Sequence, residues 1–264
     1  MPPQPLSHAI SASSFRDIRL IATDMDGTLT ITEKFTAQLL QTFNDLSDAG
    51  IAVLIVTGRS AGWVSGLVQY LPIWGAIAEN GGTLHRAFTA QTFLPEIPDI
   101  EPHRQQLARM FQKLRMQFPS LHPSFDNSFR LTDWTFDIAD LSLTELCQMQ
   151  TLCAAAGWGF TYSTVQCHIK LPWQEKAIAL QAVVESYFND LSPKQIVTIG
   201  DSPNDESLFD HTRFPLSVGV ANLHRYCDRL THQPTYITEA SEGLGFIELA
   251  QLILNQRPTP DSQL

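Results

Sequence analysis

The chain has 264 residues, enough to bury a substantial core, and a core with a smaller inserted domain is the organisation expected. Its 17 basic and 27 acidic residues give a formal charge of -10 with no run of Lys or Arg longer than two, which argues against nucleic-acid and anionic-membrane partners. No apolar stretch approaches the roughly 20 residues that cross a bilayer, and residues 1–14 lack the basic start and apolar centre of a secretory signal. The cysteines Cys147, Cys153, Cys167 and Cys227 show no Cys-x-x-Cys spacing, so reduced thiols and a cytoplasmic location are expected.

In chain order, residues 1–14 are expected as a flexible tail, followed by a buried strand, Arg19-Leu20-Ile21-Ala22-Thr23, and the loop Asp24-Met25-Asp26-Gly27-Thr28. Thr36 is placed to cap a helix with Leu39, Leu40, Phe43 and Leu46 on one face and Gly50 as its stop. A continuous apolar strand over 51–56, a helix over 61–70 and a strand over 75–78 follow, the last ending in Glu79-Asn80-Gly81-Gly82. Strand and helix alternating in this way predict parallel strands with right-handed crossovers.

From residue 83 the rhythm changes. Proline-broken loops, a helix over 102–117, an alternating segment over 129–138, a helix over 143–156 and a hairpin of 158–162 with 166–171, turning at Ser163-Thr164, predict a small antiparallel α+β layer. Afterwards the parallel pattern resumes: a helix over 175–188, a strand over 196–199, a helix near 205–209, strands at 216–220 and 235–238, and a helix over 246–254. The expected division is a core of residues 15–82 and 172–256, an inserted layer of 83–171, and flexible tails 1–14 and 257–264.

Two carboxylate-rich loops directly follow buried strands, so their side chains are expected to emerge together at one sheet edge. Phosphate ester hydrolysis needs a fixed nucleophile, a cation between the charges and donors aimed at the phosphoryl oxygens. Asp24 is the candidate nucleophile, forming an aspartyl-phosphate, and Asp26 the acid that protonates the leaving oxygen and then deprotonates water. Thr57 and the backbone N–H of Gly58 are candidate phosphoryl donors, and Lys176, with Lys170 as a rival, the neutralising cation. Asp201 is expected to bind Mg²⁺ together with Asp24 and the backbone carbonyl of Asp26, with Asp205 orienting Lys176 or metal-bound water. His85, His122 and His168 and the tryptophans Trp63, Trp134, Trp158 and Trp173 carry weaker signals, because lone histidines and aromatics are more often structural.

The motifs Asp24-Met25-Asp26-Gly27-Thr28, Thr57-Gly58-Arg59, Lys176 and Gly200-Asp201-Ser202-Pro203-Asn204-Asp205 resemble those of haloacid dehalogenase superfamily phosphatases, in the branch with a type II cap of subclass B. The resemblance runs from Arg19 to Leu254 and takes in Glu79-Asn80-Gly81-Gly82, residues 218–222 and Ser241-Glu242-Gly243-Leu244. It implies a Rossmann-like parallel core in an α/β fold, a cap inserted between the second and third motifs, and Mg²⁺-dependent phosphatase chemistry. The family's phosphate contacts would fall on Thr57, Gly58, Lys176 and Asn204. Gln174-Glu175-Lys176-Ala177 departs from the pattern, since relatives usually carry glycine beside the lysine. The substrate class this implies is a small phosphorylated metabolite, a sugar phosphate or a phosphoglycerate derivative. A phosphomutase is the alternative and a non-catalytic ligand-binding protein the distant one. Which of Arg130, Trp134, His168 and Lys170 face the core, and the oligomeric state, stay open at this level.

Overall fold

The computed structural model describes residues 2–9, 14–163 and 165–257. Its first half contains β1 (Gln4–Pro5), β2 (Leu20–Thr23), α1 (Ala37–Asp48), β3 (Ala52–Val56), α2 (Ala61–Leu67), β4 (Gly75–Ala78), β5 (Thr83–His85), β6 (Thr92–Phe93) and α3 (Ile100–Gln117). Then come β7 (Trp134–Asp137), α4 (Leu143–Ala155), β8 (Gly159–Tyr162), β9 (Gln166–Lys170), α5 (Lys176–Tyr187), β10 (Ile196–Gly200), β11 (Leu216–Gly219), β12 (Tyr236–Ile237) and α6 (Glu242–Gln256). The larger sheet has the order β1-β12-β11-β10-β2-β3-β4-β5-β6, parallel from β1 through β4 and antiparallel for β5 and β6. A second, antiparallel sheet has the order β7-β9-β8.

The apolar runs at β2 and β3 are continuous because helices cover both faces of the larger sheet. Along β2, Ile21 faces the side where Phe43 of α1 meets Phe246 of α6, their ring centroids 5.7 Å apart. Leu20 and Ala22 face the other side, against Ala177, Leu180 and Val183 of α5. Thr36 caps α1 by accepting from the Leu39 N–H at 3.1 Å, and Gly50, at φ +70°, lets the chain leave the helix. The smaller sheet has its own core, in which Phe111 of α3 packs on Trp134 and Phe136, with Met149 of α4 alongside.

The structure corrects four expectations. Residues 1–14 are not simply a tail: Gln4 and Pro5 pair in parallel with Tyr236 and Ile237, and Leu6 and Ala9 are buried. Main-chain hydrogen bonding along β12 and the apolar Leu6 hold this segment down, and Met1 and residues 10–13 lie outside the described residues. Residue 83 is not where the inserted layer begins, because β5 turns back at Glu79-Asn80 and, with β6, extends the larger sheet. The alternating segment over 129–138 is a strand only from Trp134, since residues 130–133 spend their polar groups on other contacts described below. The short helix near 205–209 is a 3₁₀ segment spanning Pro203–Phe209. Of the expected C-terminal tail, Arg257 hydrogen-bonds the Ala49 carbonyl, while 258–264 lie outside the described residues, as does Thr164 in the hairpin turn.

Leu6 is 2 % exposed, so Leu6→Ala should lower unfolding stability by ~2–4 kcal/mol in denaturant titrations. A loss below about 0.5 kcal/mol, the range of an indifferent surface change, would show that the leading segment is not part of the core.

Candidate active site

β2 and β10 are neighbours in register, with Thr23 beside Ile199, so the loops that follow them leave the sheet at the same edge. The Asp24 N–H donates to the Ile199 carbonyl at 2.9 Å, fixing the first acidic residue against the second strand. Gly27, at φ +81°, lets the loop fold over Asp201: a Cβ there would sit 2.5 Å from Asp201 Oδ2. Asn222 braces this approach by donating through Nδ2 to Asp201 Oδ2 at 2.9 Å and to the Gly27 carbonyl at 3.1 Å.

Lys176, the first residue of α5, is 1 % exposed. Its Nζ lies 2.5 Å from Asp24 Oδ1 and 2.6 Å from Asp205 Oδ1. The other oxygen of Asp205 accepts the backbone N–H groups of Asp201 and Ser202 at 3.0 and 3.1 Å. Lys170 is differently engaged, donating to the Gln174 carbonyl at 2.6 Å. Burial opposes the charge on Lys176, but Asp205 and Asp24 outweigh it and hold its pKa above the ordinary lysine value. Burial, with Asp205 next, raises the Asp24 carboxyl to about 7 while Lys176 pulls it back, and burial with Asp24 raises Asp201 well above the carboxylate range.

Carboxylate oxygens of Asp24, Asp201 and Asp205 lie within 4.8 Å of one another. Both oxygens of Asp205 are spent on Lys176 and on two amides, so Asp24 and Asp201 are the carboxylates left to hold a cation. An all-oxygen donor set of buried carboxylates that repel one another fits a hard divalent cation.

Asp26 makes a bidentate pair with Arg59, at 2.6 Å from Oδ1 to Nη2 and 2.8 Å from Oδ2 to Nε, and the guanidinium lies 5.8 Å from the centroid of the Trp63 ring. Thr57, at the end of β3, is buried, and its Oγ1 accepts the Arg59 N–H at 3.1 Å. Asn204 donates to Asn80 Oδ1 at 3.1 Å.

The smaller sheet closes over this floor. Arg130 is fully desolvated and spends its guanidinium on Asp126, Asp133, Gln166 and the Gly58 carbonyl, the last at 2.9 Å. His168, on β9, donates from Nδ1 to Asp133 Oδ2 at 2.9 Å, and its ring packs against Gly58, where a Cβ would come within 3.0 Å of Cε1. Burial lowers the His168 pKa, Asp133 opposing, so the neutral ring keeps its proton on Nδ1 and a lone pair on Nε2. Glu79, at the tip of β4, is buried and accepts from the N–H groups of Ala61, Leu131 and Thr132 and from the Thr132 hydroxyl. Together these contacts leave a cavity of about 20 Å³ above Asp24, lined by Asp26, Gly58, Arg59 and His168 among others. Trp134 packs into the inserted layer's core, and Lys170 faces a separate cleft.

Sequence reasoning grouped Asp24, Thr57, Gly58, Lys176, Asp201, Asn204 and Asp205, and the fold brings all of them to this edge. It gave no role to Arg59, Glu79 or Asn222. Arg59 stood inside a quoted motif and Glu79 headed another, but a partner 33 or 53 positions away leaves no periodic trace.

The profile of haloacid dehalogenase-like hydrolases matches residues 21–97. Over this segment the chain is similar to haloacid dehalogenase-like hydrolases. A phosphoglycolate phosphatase of Staphylothermus marinus is 25 % identical over 91 % of this chain and 100 % of its own length. Among solved structures, a Thermoplasma acidophilum protein matches at 22 % identity and TM-score 0.71 over 89 % of this chain and 99 % of its own. The sucrose-phosphatase of Synechocystis, solved with sucrose and phosphate, matches at 18 % identity and TM-score 0.66 over 90 % and 98 %. These similarities extend over nearly the whole of this chain, the smaller sheet included.

Adding Mg²⁺ at about a hundred times its dissociation constant should stabilise the protein by ~2.7 kcal/mol, seen as a melting shift of ~5–10 °C. Asp201→Asn should lose most of that shift. An equal shift in the variant would remove Asp201 from the cation site.

Proposed function

We propose that this phosphatase hydrolyses a small phosphorylated metabolite, a sugar phosphate or a short phosphorylated acid, through an aspartyl-phosphate on Asp24 with Mg²⁺ as cofactor. The observation that carries this reading is the Lys176 ammonium held at once by Asp24 and Asp205, beside Asp201 and beneath a cap that nearly closes the site. The curated relatives matched at about a quarter identity are named phosphoglycolate phosphatase, and a structural neighbour is a sucrose-phosphatase, both acting on small phosphorylated molecules.

Asp24, Asp201 and the Asp26 backbone carbonyl would hold Mg²⁺, which when bound draws charge off a phosphoryl oxygen. Lys176 neutralises the Asp24 carboxylate and keeps it aimed, while Thr57 and the Gly58 N–H donate to the phosphoryl oxygens. Asp24 attacks phosphorus as the leaving oxygen takes a proton from Asp26, and Asp26 then accepts a proton from the water that cleaves the aspartyl-phosphate. Because both Asp26 oxygens are engaged by Arg59, the guanidinium must yield one bond before that carboxyl can carry a proton, so the ion pair is a resting arrangement. At about 20 Å³ the cavity holds roughly one water, not a phosphoryl group, so substrate entry lifts the cap off Gly58.

A mutase must grip a second phosphate with cap cations, and Arg130, Arg104 and Lys170 are each bonded within the protein. That supports hydrolysis over isomerisation. Among the described residues no helix is long and apolar enough to cross a membrane, and we place the enzyme in the cytoplasm with a dissolved substrate.

Phosphate release from phenyl phosphate, phosphoglycolate and a panel of sugar phosphates should require Mg²⁺ and disappear in Asp24→Asn. Asp26→Ala should slow turnover by ~10²-fold or more while leaving the Mg²⁺-induced melting shift in place. Activity surviving in Asp24→Asn, or isomerised product dependent on a bisphosphate, would defeat this assignment.

A further inference from the structure

We infer that the side-chain amide of Asn80 donates a hydrogen bond to the substrate's phosphoryl oxygens, and that Asn204 acts by positioning it. Asn80 is 2 % exposed, and its Nδ2 is a buried nitrogen with no hydrogen-bond partner among the described residues. Leaving a buried amide donor unsatisfied is costly, and native structures rarely keep one without a use. The backbone compounds the cost: Glu79 and Asn80 stand at φ +55° and +53°, in the left-handed region. Glycine at position 80 would adopt that conformation freely and leave no orphan amide, so stability alone does not account for asparagine.

The direction of the amide follows from two sets of contacts. A Cβ on Gly58 would lie 3.2 Å from Asn80 Nδ2 and 3.2 Å from His168 Nε2. The amide therefore reaches the side of Gly58 that faces the cap imidazole lining the cavity over Asp24. On the other flank, Asn80 shares the wall of a neighbouring cleft with Lys176 and Asn204. The Asn80 N–H also donates to the Thr57 carbonyl at 2.9 Å, tying its position to the loop that offers the Thr57 and Gly58 donors.

A relay sets which end of each amide faces which way. Ser202 donates through Oγ to Asn204 Oδ1 at 2.6 Å, and Asn204 Nδ2 donates to Asn80 Oδ1 at 3.1 Å, leaving Asn80 Nδ2 as the free donor at the end of the line. The same relay occupies the amide of Asn204, the residue that its motif made the candidate for the phosphate contact. Asn80 thus adds a neutral, pre-aimed donor to those of Lys176, Thr57 and Gly58, where the phosphoryl oxygens gather charge during transfer.

The identity of the anion rests on the phosphatase reading; the site does not, and inorganic phosphate tests it directly. Calorimetric titration of phosphate in the presence of Mg²⁺ should show Asn80→Gly binding about tenfold or more weakly than the native enzyme. Asn80→Asp, which replaces the donor by an acceptor of the same shape, should bind more weakly still. In phenyl phosphate turnover, Asn80→Gly should lose ~10²-fold in kcat/KM with its melting temperature unchanged or raised, which a merely structural asparagine would not produce. Native-like phosphate affinity in Asn80→Gly, or kcat/KM within about threefold of native, well short of an oxyanion donor's loss, would overturn the inference. Phosphate binding with normal Asn80 dependence but no turnover of any ester would sink the phosphatase reading alone.

Discussion

One buried ammonium holds the site together. Lys176 reaches the floor from the start of α5 and meets carboxylates delivered by two other elements, Asp24 from the end of β2 and Asp205 from the 3₁₀ segment after β10. Removing such a charge from water is expensive, and only close, well-aligned partners make it tolerable. The balance remains incomplete. Asp24, Asp26, Asp201 and Asp205 outnumber Lys176 and Arg59 by two, and burial first, with this crowding of acids second, raises the pKa values of Asp24 and Asp201. A divalent cation would be a fitting counter-charge for this deficit, so the proposed metal site and the Lys176 geometry both follow from crowding acids at one sheet edge.

Polar contacts tie the layer of the smaller sheet to the larger one, beside apolar contacts of Leu131 with the larger core and of Phe129 with Gly62. Glu79 collects donors from α2 and from residues 131–132, Arg130 reaches the Gly58 carbonyl, and the His168 ring packs against the same glycine. Burial raises the Glu79 pKa, with Asp133 adding to the rise and Arg130 and the hydrogen-bond donors restraining it. Polar contacts of this kind can be broken and remade with water as the alternative partner. These contacts fall on the loops bearing Thr57, Gly58 and Asn80, so the smaller sheet and the proposed phosphoryl donors share one set of contacts.

Two departures from local preference coincide at Asn80. Glu79 and Asn80 are consecutive left-handed residues, and Asn80 carries an unpaired buried amide, whereas the helices and central strands follow their local preferences closely. Other left-handed residues, such as Thr32, Phe88 and Asp140, and other unpaired buried groups, such as those of Ser124 and Trp134, lie elsewhere; among the described residues, Asn80 is where both occur in one residue.

The order of elements, the parallel core and the carboxylate-bearing loops were legible in the chain itself, because they depend on short-range signals. Apolar runs of β length, a threonine cap, a glycine stop and acids directly after strands act within a few residues of one another. The extra strands β1, β5 and β6 were not legible: each is two or three residues long and owes its conformation to a neighbouring strand already in place. Residues 130–133 alternate like a strand yet form none, since Arg130 and Asp133 are claimed by buried partners and residues 131–132 by Glu79. Sequence alone therefore determined which groups could do the chemistry, through types and spacings set by covalent neighbours. Tertiary structure decided which amide is left free, which arginine guards Asp26 and which histidine roofs Gly58, because those outcomes depend on contacts between segments far apart along the backbone.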